Sequence, residues 1–313
     1  MASQRDVKNR IGSVKNIQKI TRAMEMVAAA RLRRAEQRIS ALRPYAEAIR
    51  RMTRQAALAA GAETARLPLL NEREQTENVA LLLVTGDRGL AGGFNSQIIR
   101  AGIKVAAELQ EEGPKTVWYA AGRRGSSSLT FRGRELSGSY SGFADRPAYA
   151  DARGIADDLI TAYIDGKCDR VDILYNAYVS PLNQVVTRET LLPLSKATLT
   201  GGDEGAANEG TTDKGAAPES ADGANGPSAL VEYEPGPEEI LKRLVPDYVE
   251  ISIYRALIES TAGFFGAQMT AMRSASENAG EIITDLTLQM NRARQAEITQ
   301  EIMEVVAGAE GLN

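Results

Sequence analysis

The chain has 313 residues, with 37 Lys and Arg against 41 Asp and Glu, no histidine and one cysteine. Without an imidazole it cannot build a Ser-His-Asp or Cys-His triad or a histidine-ligated zinc site. The lone Cys168 cannot close an intrachain disulfide, which is typical of an intracellular protein and excludes an internal dithiol switch. Five Phe and one Trp are few anchors for a large compact core, so the composition favours an elongated molecule.

The first predicted element is a long amphipathic helix, which we assign as domain 1–60. From Leu32 onwards the apolar steps alternate between three and four residues, which is heptad spacing. Earlier steps of three, three and four predict a local phase slip, where the seam should twist unevenly. Pro44 predicts a kink or a short interruption near residues 41–44. The predicted seam consists of Val7, Ile11, Val14, Ile17, Ile20, Met24, Val27, Leu32, Ala35, Ile39, Leu42, Ala46 and Ile49.

The middle of the chain predicts a small α/β domain, assigned to residues 75–198. An apolar run over 78–85 has the length of a strand, and a glycine-rich turn and a helix follow it. The remaining predicted elements are a helix over 96–111, strands over 116–121 and 171–179, a helix over 148–164 and an edge strand over 184–192.

An acidic segment, assigned to residues 199–230, interrupts this pattern. Residues 200–229 hold six acids and one lysine, and they contain no aromatic and no β-branched aliphatic side chain. Such a composition buries too little apolar area to offset the entropy of ordering, roughly 1 to 2 kcal/mol per residue. The sequence therefore predicts a disordered surface loop.

A second long helix is predicted at the other end, assigned as domain 236–313. Its apolar seam alternates in steps of four and three, and after Ala293 the phase moves to Ile298, Ile302, Val305 and Ala309. The last three turns should therefore present a different face. The seam consists of Phe265, Met269, Met272, Ser276, Ala279, Ile283, Leu286, Met290 and Ala293.

Length and charge predict how the two helices combine. They would span roughly 80 and 100 Å, whereas a globule of this chain length is about 50 Å across. Because a lone projecting helix would expose its apolar stripe, the two should pair as an antiparallel coiled coil. Residues 1–60 carry a net charge of +10 and residues 236–313 a net charge of −6, which favours this pairing.

Two features of the sequence suggest functions other than a coiled-coil role, namely nucleotide binding and nucleic acid binding. The turn GDRGLAGGFN could cradle phosphate, but it lacks the lysine of a Walker loop and the spacing of a dinucleotide fingerprint. It favours a tight strand-to-helix connection, with Asp87 as a turn or cap residue. The arginines of the first helix could lie along nucleic acid phosphates, although the stretch lacks aromatic stacking residues and the pI is about 5.3. A coiled-coil protein that binds nucleic acid through this helix is therefore the alternative hypothesis.

Several motifs together resemble the gamma subunit of bacterial F-type ATP synthase, the central stalk. They cover nearly the whole chain except the acidic segment, and the last is highly specific. The motifs are IGSVKNIQKITRAMEMVAAAR (11–31), TGDRGLAGGFN (85–95), YEP (233–235), MTAMRSASENA (269–279) and RARQAEITQEIMEVVAGA (292–309).

The resemblance implies an antiparallel coiled-coil shaft with an inserted Rossmann-like domain. It implies one copy per complex, with alpha and beta subunits, the epsilon subunit and the c-ring as partners, on the cytoplasmic side of the cell membrane as a peripheral protein. Catalysis would belong to the beta subunits, and this chain would have no active site, no cofactor, no nucleic acid partner and no direct nucleotide binding. Residues in positions that couple to beta subunits in the family are Met24, Arg294, Gln295, Thr299 and Glu301.

Two departures limit what the resemblance implies. The position before Met269 is commonly Arg in the family and is Gln268 here, so a charge contact at that point is in doubt. The acidic segment occupies the place where chloroplast relatives carry a regulatory cysteine pair, yet it has no cysteine. We therefore expect no dithiol switch; the segment either brakes rotation electrostatically or is a tolerated insertion.

Overall fold

The computed structural model describes residues 4–61, 67–71, 73, 75–194 and 236–310. The acidic segment 199–230 lies outside these residues. The described elements are, in chain order, α1 Gln4–Ala60, a short 3-10 turn Pro68–Leu70, β1 Asn78–Val84, α2 Phe94–Glu112, β2 Lys115–Ala121, α3 Arg123–Phe131, β3 Leu136–Tyr140, α4 Tyr149–Ile164, β4 Arg170–Tyr178, β5 Gln184–Leu192 and α5 Pro237–Glu310.

The five strands form one mixed sheet in the order β3-β2-β1-β4-β5. Strands β3, β2, β1 and β4 are parallel, and β5 pairs antiparallel with β4 at the edge of the sheet. The central strand β1 reads as a continuous apolar run because helices cover both faces of a parallel sheet. The fold predicted from the sequence, an α/β domain inserted between two coiled-coil helices, is confirmed.

Alternate residues of β1 divide the domain into two apolar layers. Ala80, Leu82 and Val84 belong to a cluster with α4 and the first half of α5. Leu81 and Leu83 belong to a second cluster with α2 and α3, together with residues of both long helices. The first half of α5 is thus part of the domain core, and the same helix continues beyond it as part of the shaft.

Helix α3 and strand β3 were missed by the sequence prediction. The segment that forms α3, RRGSSSLTF, is mostly polar, and only Gly125 and Leu129 in it are buried. Strand β3, LSGSY, lies at the sheet edge and has no fully buried residue. Short elements with one-sided or partial burial carry little periodic signal. Tertiary contacts decide them instead: β3 pairs with β2, and Leu129 of α3 packs in the second apolar cluster.

The two long helices run antiparallel along each other. Gln18 on α1 donates from Nε2 to the carbonyl of Ser276 on α5, at 3.2 Å. Further along α1, the Arg31 guanidinium lies 5.5 Å from the centre of the Phe265 ring. Because the α5 residue number falls as the α1 number rises, the chain directions are opposite.

Helix α1 continues through Pro44. The helix is therefore not interrupted near residues 41–44, and the alternative that was predicted there, a kink, stays a prediction. A proline inside a helix removes one hydrogen bond and costs about 3 kcal/mol. The flanking turns outweigh this cost, since Ile49 and Ala56 beyond the proline are buried in the domain core.

Candidate functional site

The seam of α1 keeps a regular heptad spacing along its first half. The side chains turned toward α5 follow alternating steps of four and three with no slip. The predicted phase slip is therefore wrong, because three polar positions take seam places that the sequence reading gave to apolar neighbours. The observed seam is Val7, Ile11, Val14, Gln18, Thr21, Glu25, Ala28, Leu32, Ala35, Ile39, Leu42, Ala46 and Ile49.

These polar seam residues find partners in or across the interface. The Glu25 carboxylate accepts a hydrogen bond from Arg273 Nε at 2.9 Å. The buried Thr21 hydroxyl donates to the carbonyl of Gln18 at 3.1 Å. Because each buried polar group keeps a hydrogen bond, the seam tolerates them, and a polar seam position favours one register of a coiled coil.

The displaced apolar side chains form an outward stripe on α1. Ile17, Ile20 and Val27 are 53%, 58% and 53% exposed, and Met24 is half-buried beside them. Four apolar side chains at helical spacing on a solvent-facing surface are typical of a surface that another molecule covers. We refer to Ile17, Ile20, Met24 and Val27 as the outward stripe.

The outward stripe borders a groove where the shaft meets the domain. The groove has a volume of 290 Å³, and Phe264 and Phe265 of α5 line it beside Met24. Its other lining residues are Ile20, Ala23, Val27, Arg31, Arg88, Asp145 and Gln268.

The charge at the groove rim is set by two arginines that share one carboxylate. Asp145 Oδ2 lies 3.0 Å from Arg31 Nη1 and 3.5 Å from Arg88 Nη1. Arg31 also stacks over Phe265, and a guanidinium over an aromatic face is attracted to the ring quadrupole. With two positive groups to one negative, the rim attracts an anionic partner.

Beyond the region where it pairs with α1, α5 continues with no other described element packed along it. Residues 294–307 are all exposed, including Ile298, Ile302 and Val305. Arg294 and Glu301 are seven residues apart, which places them on one face of the helix. Within the described residues the Arg294 side chain makes no hydrogen bond or ion pair. An unpaired helix end with exposed apolar and charged groups is suited to contact a surrounding molecule.

Comparison with known proteins identifies the family. A family model described as ATP synthase matches residues 3–312. The ATP synthase gamma chain of Rubrobacter xylanophilus is 43% identical over 312 residues, covering 100% of this chain and 99% of the relative. That of Frankia casuarinae is 41% identical over 317 residues, with 100% and 99% covered. The chain belongs to the ATP synthase gamma-chain family.

Solved structures agree with this gamma-chain fold. A chain of the Euglena gracilis mitochondrial ATP synthase, described as OSCP/F1/c-ring, superimposes with a TM-score of 0.65 at 16% identity, covering 99% of this chain and 94% of that one. A chain of the Tetrahymena thermophila structure described as central stalk/cring gives 0.58 at 23% identity, with 82% and 99% covered. The nucleic acid alternative has no support in these comparisons.

The structure places the five predicted coupling residues of this gamma chain in two locations. Met24 borders the groove. Arg294, Gln295, Thr299 and Glu301 lie on the unpaired end of α5, roughly 35 to 45 Å further along the shaft at 1.5 Å per residue. The Thr299 hydroxyl donates to the carbonyl of Gln295 at 2.8 Å, which leaves its lone pairs available outward.

Sequence reasoning missed most of the groove. Arg88 lies in the glycine-rich motif, which was considered for a phosphate role and for the family resemblance but not for a groove, and Asp145 belongs to a loop without any motif. Phe264 was not assigned a role because the heptad pattern placed its neighbour Phe265 in the seam. The groove arises from contacts between segments far apart in the sequence, and no local pattern marks it.

The carboxyl edge of the sheet, where open α/β folds bind nucleotides, is filled by the chain itself. The Asp87 carboxylate accepts the backbone N–H groups of Arg123, Gly142 and Ala144 at 2.9 to 3.2 Å. It therefore caps the start of α3, as predicted for a turn or cap residue. The space beside it, lined by Phe264 and other side chains of α5, measures only about 10 Å³.

We expect no nucleotide binding by the isolated chain. The Asp87 carboxylate already occupies the backbone N–H groups that a phosphate would need. Side chains of α5 fill the crevice at the carboxyl edge of the sheet, so a nucleotide base has no room there. Calorimetric titration with Mg-ATP or NADH should show no saturable heat up to about 1 mM, the weak limit of specific binding. A saturable isotherm that Phe264→Ala abolishes would contradict this assignment of the crevice.

Within the described residues, no cluster of three or more Cys, Asp or Glu side chains is arranged to hold a metal ion. None of the helices described is both long and apolar enough to cross a membrane.

Proposed function

We propose that this gamma chain is the rotor of the F-type ATP synthase central stalk and couples proton-driven c-ring rotation to ATP synthesis at the beta subunits. The observation that carries the proposal is the antiparallel shaft, which extends from a domain that both long helices help to form. A shaft fixed in a domain at one end transmits rotation applied to that domain. The full-length family match supports the same function.

The asymmetry of the shaft supplies the mechanism. The outward stripe lies on one side of α1, and on the unpaired end of α5 the exposed Arg294, Ile298, Glu301 and Val305 lie within about 60° of one another around the helix axis. As such a shaft turns inside a ring of similar subunits, each subunit meets a different surface in turn. The differential contact energy then shifts each subunit between its conformations, since a ligand shifts an equilibrium by its difference in affinity.

The proposed partners are the alpha and beta subunits, the epsilon subunit and the c-ring, with one copy of this chain per complex. The proposed location is the cytoplasmic side of the cell membrane, as a peripheral protein. The description of the Tetrahymena structure, which names central stalk and c-ring together, supports contact with the c-ring. Within the chain, we propose that 1–60 and 236–313 form the shaft and 75–198 the domain at its foot, with the first half of α5 also packing in the domain core.

We propose that the beta subunits contact this chain at the two locations described above. Met24 would do so in the groove, where apolar side chains and a positive rim favour an apolar and acidic partner segment. Arg294, Gln295, Thr299 and Glu301 would do so at the unpaired end of α5. In support, all four are exposed, and no other element among the described residues packs along this helix end.

The test is capture of the chain from detergent-solubilised native membranes. We expect an ATP-hydrolysing complex to accompany it, with one copy of this chain for three alpha and three beta subunits by quantitative mass spectrometry. Capture of nucleic acid instead, with binding that falls steeply as salt rises, would overturn the proposal in favour of the nucleic acid alternative.

A further inference from the structure

Helix α1 is held to the domain by polar contacts in addition to its packing on α5. At the level of the sheet, its Glu36 carboxylate accepts a hydrogen bond from the hydroxyl of Tyr178 on β4, at 2.5 Å. Five residues earlier, Arg31 pairs with Asp145 of the loop between β3 and α4, at 3.0 Å. Both contacts join α1 to parts of the domain that α5 does not supply.

Those two contacts act on different sides of α1. Five residues at 100° each place Arg31 and Glu36 about 140° apart around the helix axis. One contact leads to the loop after β3, on one side of the sheet order, and the other to β4, on the other side. Any swing of α1 across the sheet, or rotation about its own axis, must therefore lengthen at least one of them.

We call Asp145 and Tyr178, the two domain residues that bind α1, the domain anchors. Each of them is held in place by further contacts. Asp145 follows Ala144, whose carbonyl accepts a hydrogen bond from Thr261 of α5 and whose N–H donates to Asp87. Tyr178 pairs with Gln184 of β5 in the sheet, and the carboxylate of Glu259 on α5 lies near its backbone. Asp145 is thus held next to α5, and Tyr178 is held within the sheet.

A second ion pair holds α5 beside the Tyr178 anchor. Arg255 donates to the Glu189 carboxylate of β5 at 2.5 Å, and Tyr175 of β4 donates to the same carboxylate at 2.6 Å. Burial and the Glu36 carboxylate raise the pKa of the Tyr178 hydroxyl, so it keeps its proton and remains a donor near neutral pH.

From this geometry we infer that Arg31–Asp145 and Glu36–Tyr178 form a two-sided clamp that fixes the angle of the shaft relative to the domain. Apolar packing is non-directional and tolerates small sliding, whereas hydrogen bonds and ion pairs lose most of their strength when misaligned. The four side chains act by positioning α1 relative to the domain. The inference rests on the proposed function for its mechanical meaning, because a rotor must convert rotation of its domain into rotation of its shaft without lag.

The experiment measures the clamp in the full chain, without assembly. Spin labels on the exposed positions Arg22→Cys of α1 and Lys104→Cys of α2 report the distance between shaft and domain by pulsed electron resonance. Burial raises the pKa of the native Cys168 thiol to about 11, so it stays protonated and unreactive during labelling near neutral pH.

We expect a narrow distance distribution in the parent chain and at least a doubled width in Tyr178→Phe with Asp145→Ala. Lys167→Met, which removes an exposed ion pair with Asp165 away from the shaft, is the matched control and should leave the width unchanged. Glu36→Gln keeps an acceptor for Tyr178 and should also leave the width close to that of the parent.

An unchanged width in the double variant, with native helical circular dichroism, would overturn the clamp. If the double variant unfolds, each single variant is measured alone. An unchanged width in both single variants would also overturn the clamp. Failure of the rotor proposal is distinguishable, since it appears in the capture experiment and leaves the distance distribution of the isolated chain unaffected.

Discussion

Replacing Arg294 and Gln295 together by alanine is expected to reduce ATP-driven proton pumping and ATP synthesis of the assembled complex by about 10- to 100-fold. Both side chains are exposed on the unpaired end of α5, so the change should leave the folded chain intact. A hydrogen bond to a charged group contributes about 1.5 to 3 kcal/mol, and tenfold in rate corresponds to about 1.4 kcal/mol. The measurement is pumping and synthesis in membrane vesicles.

Arg292→Ala is the matched control for this double variant. Arg292 is exposed on the same helix, two residues away and roughly 160° around the axis from Arg294. We expect it to change pumping by less than about threefold, which is under 1 kcal/mol. Equal losses in the control and the double variant would indicate a general effect of charge at the helix end and would remove the specific role of Arg294 and Gln295.

Leu32→Ala is expected to lower the free energy of unfolding by about 2 to 4 kcal/mol, because it removes a buried seam side chain and leaves a cavity. The Leu32 side chain of α1 is 4% exposed and packs against α5. The measurement is urea unfolding followed by the helical circular dichroism of the purified chain, with the slope checked for a change in cooperativity.

Ile20→Ala is the control that decides between the observed seam and the one predicted from the sequence. Ile20 belongs to the outward stripe, so its truncation should cost less than about 1 kcal/mol in the isolated chain. If Ile20→Ala is as destabilising as Leu32→Ala, then Ile20 packs in the seam and the outward stripe does not exist. In the assembled complex the same variant should weaken coupling, because the beta-subunit contact proposed at Met24 lies on the same stripe.

Much of the fold follows from sequence patterns whose signal is local and long. The strand β1 is predicted by an uninterrupted apolar run, and β5 is predicted at its observed limits, Gln184–Leu192. The seam of α5 from Phe265 to Ala293 is also correct, since each of its nine positions is buried or half-buried. Regular periodicity over several turns is the strongest evidence that a single sequence provides.

The candidate site was predictable only in part. Met24 and Arg294 came from family motifs, and the structure adds the groove that surrounds one and the exposed helix end that carries the other. Arg31 is one of the arginines of the first helix that were considered for nucleic acid binding, but its stacking on Phe265 and its pairing with Asp145 depend on distant segments. Contacts of that kind have no periodic signature.

The sequence alone determined that two long helices flank an α/β domain and that they pair, because helix length and apolar periodicity leave no other way to bury their stripes. Tertiary structure decided which face of α1 enters the seam. Apolar side chains are available on two adjacent faces near Ile17 and Ile20, so hydrophobicity by itself places them inward. The observed phase instead follows the unbroken heptad through Ala28 and Leu32, whose close packing on α5 fixes the helix rotation and turns the outward stripe toward solvent.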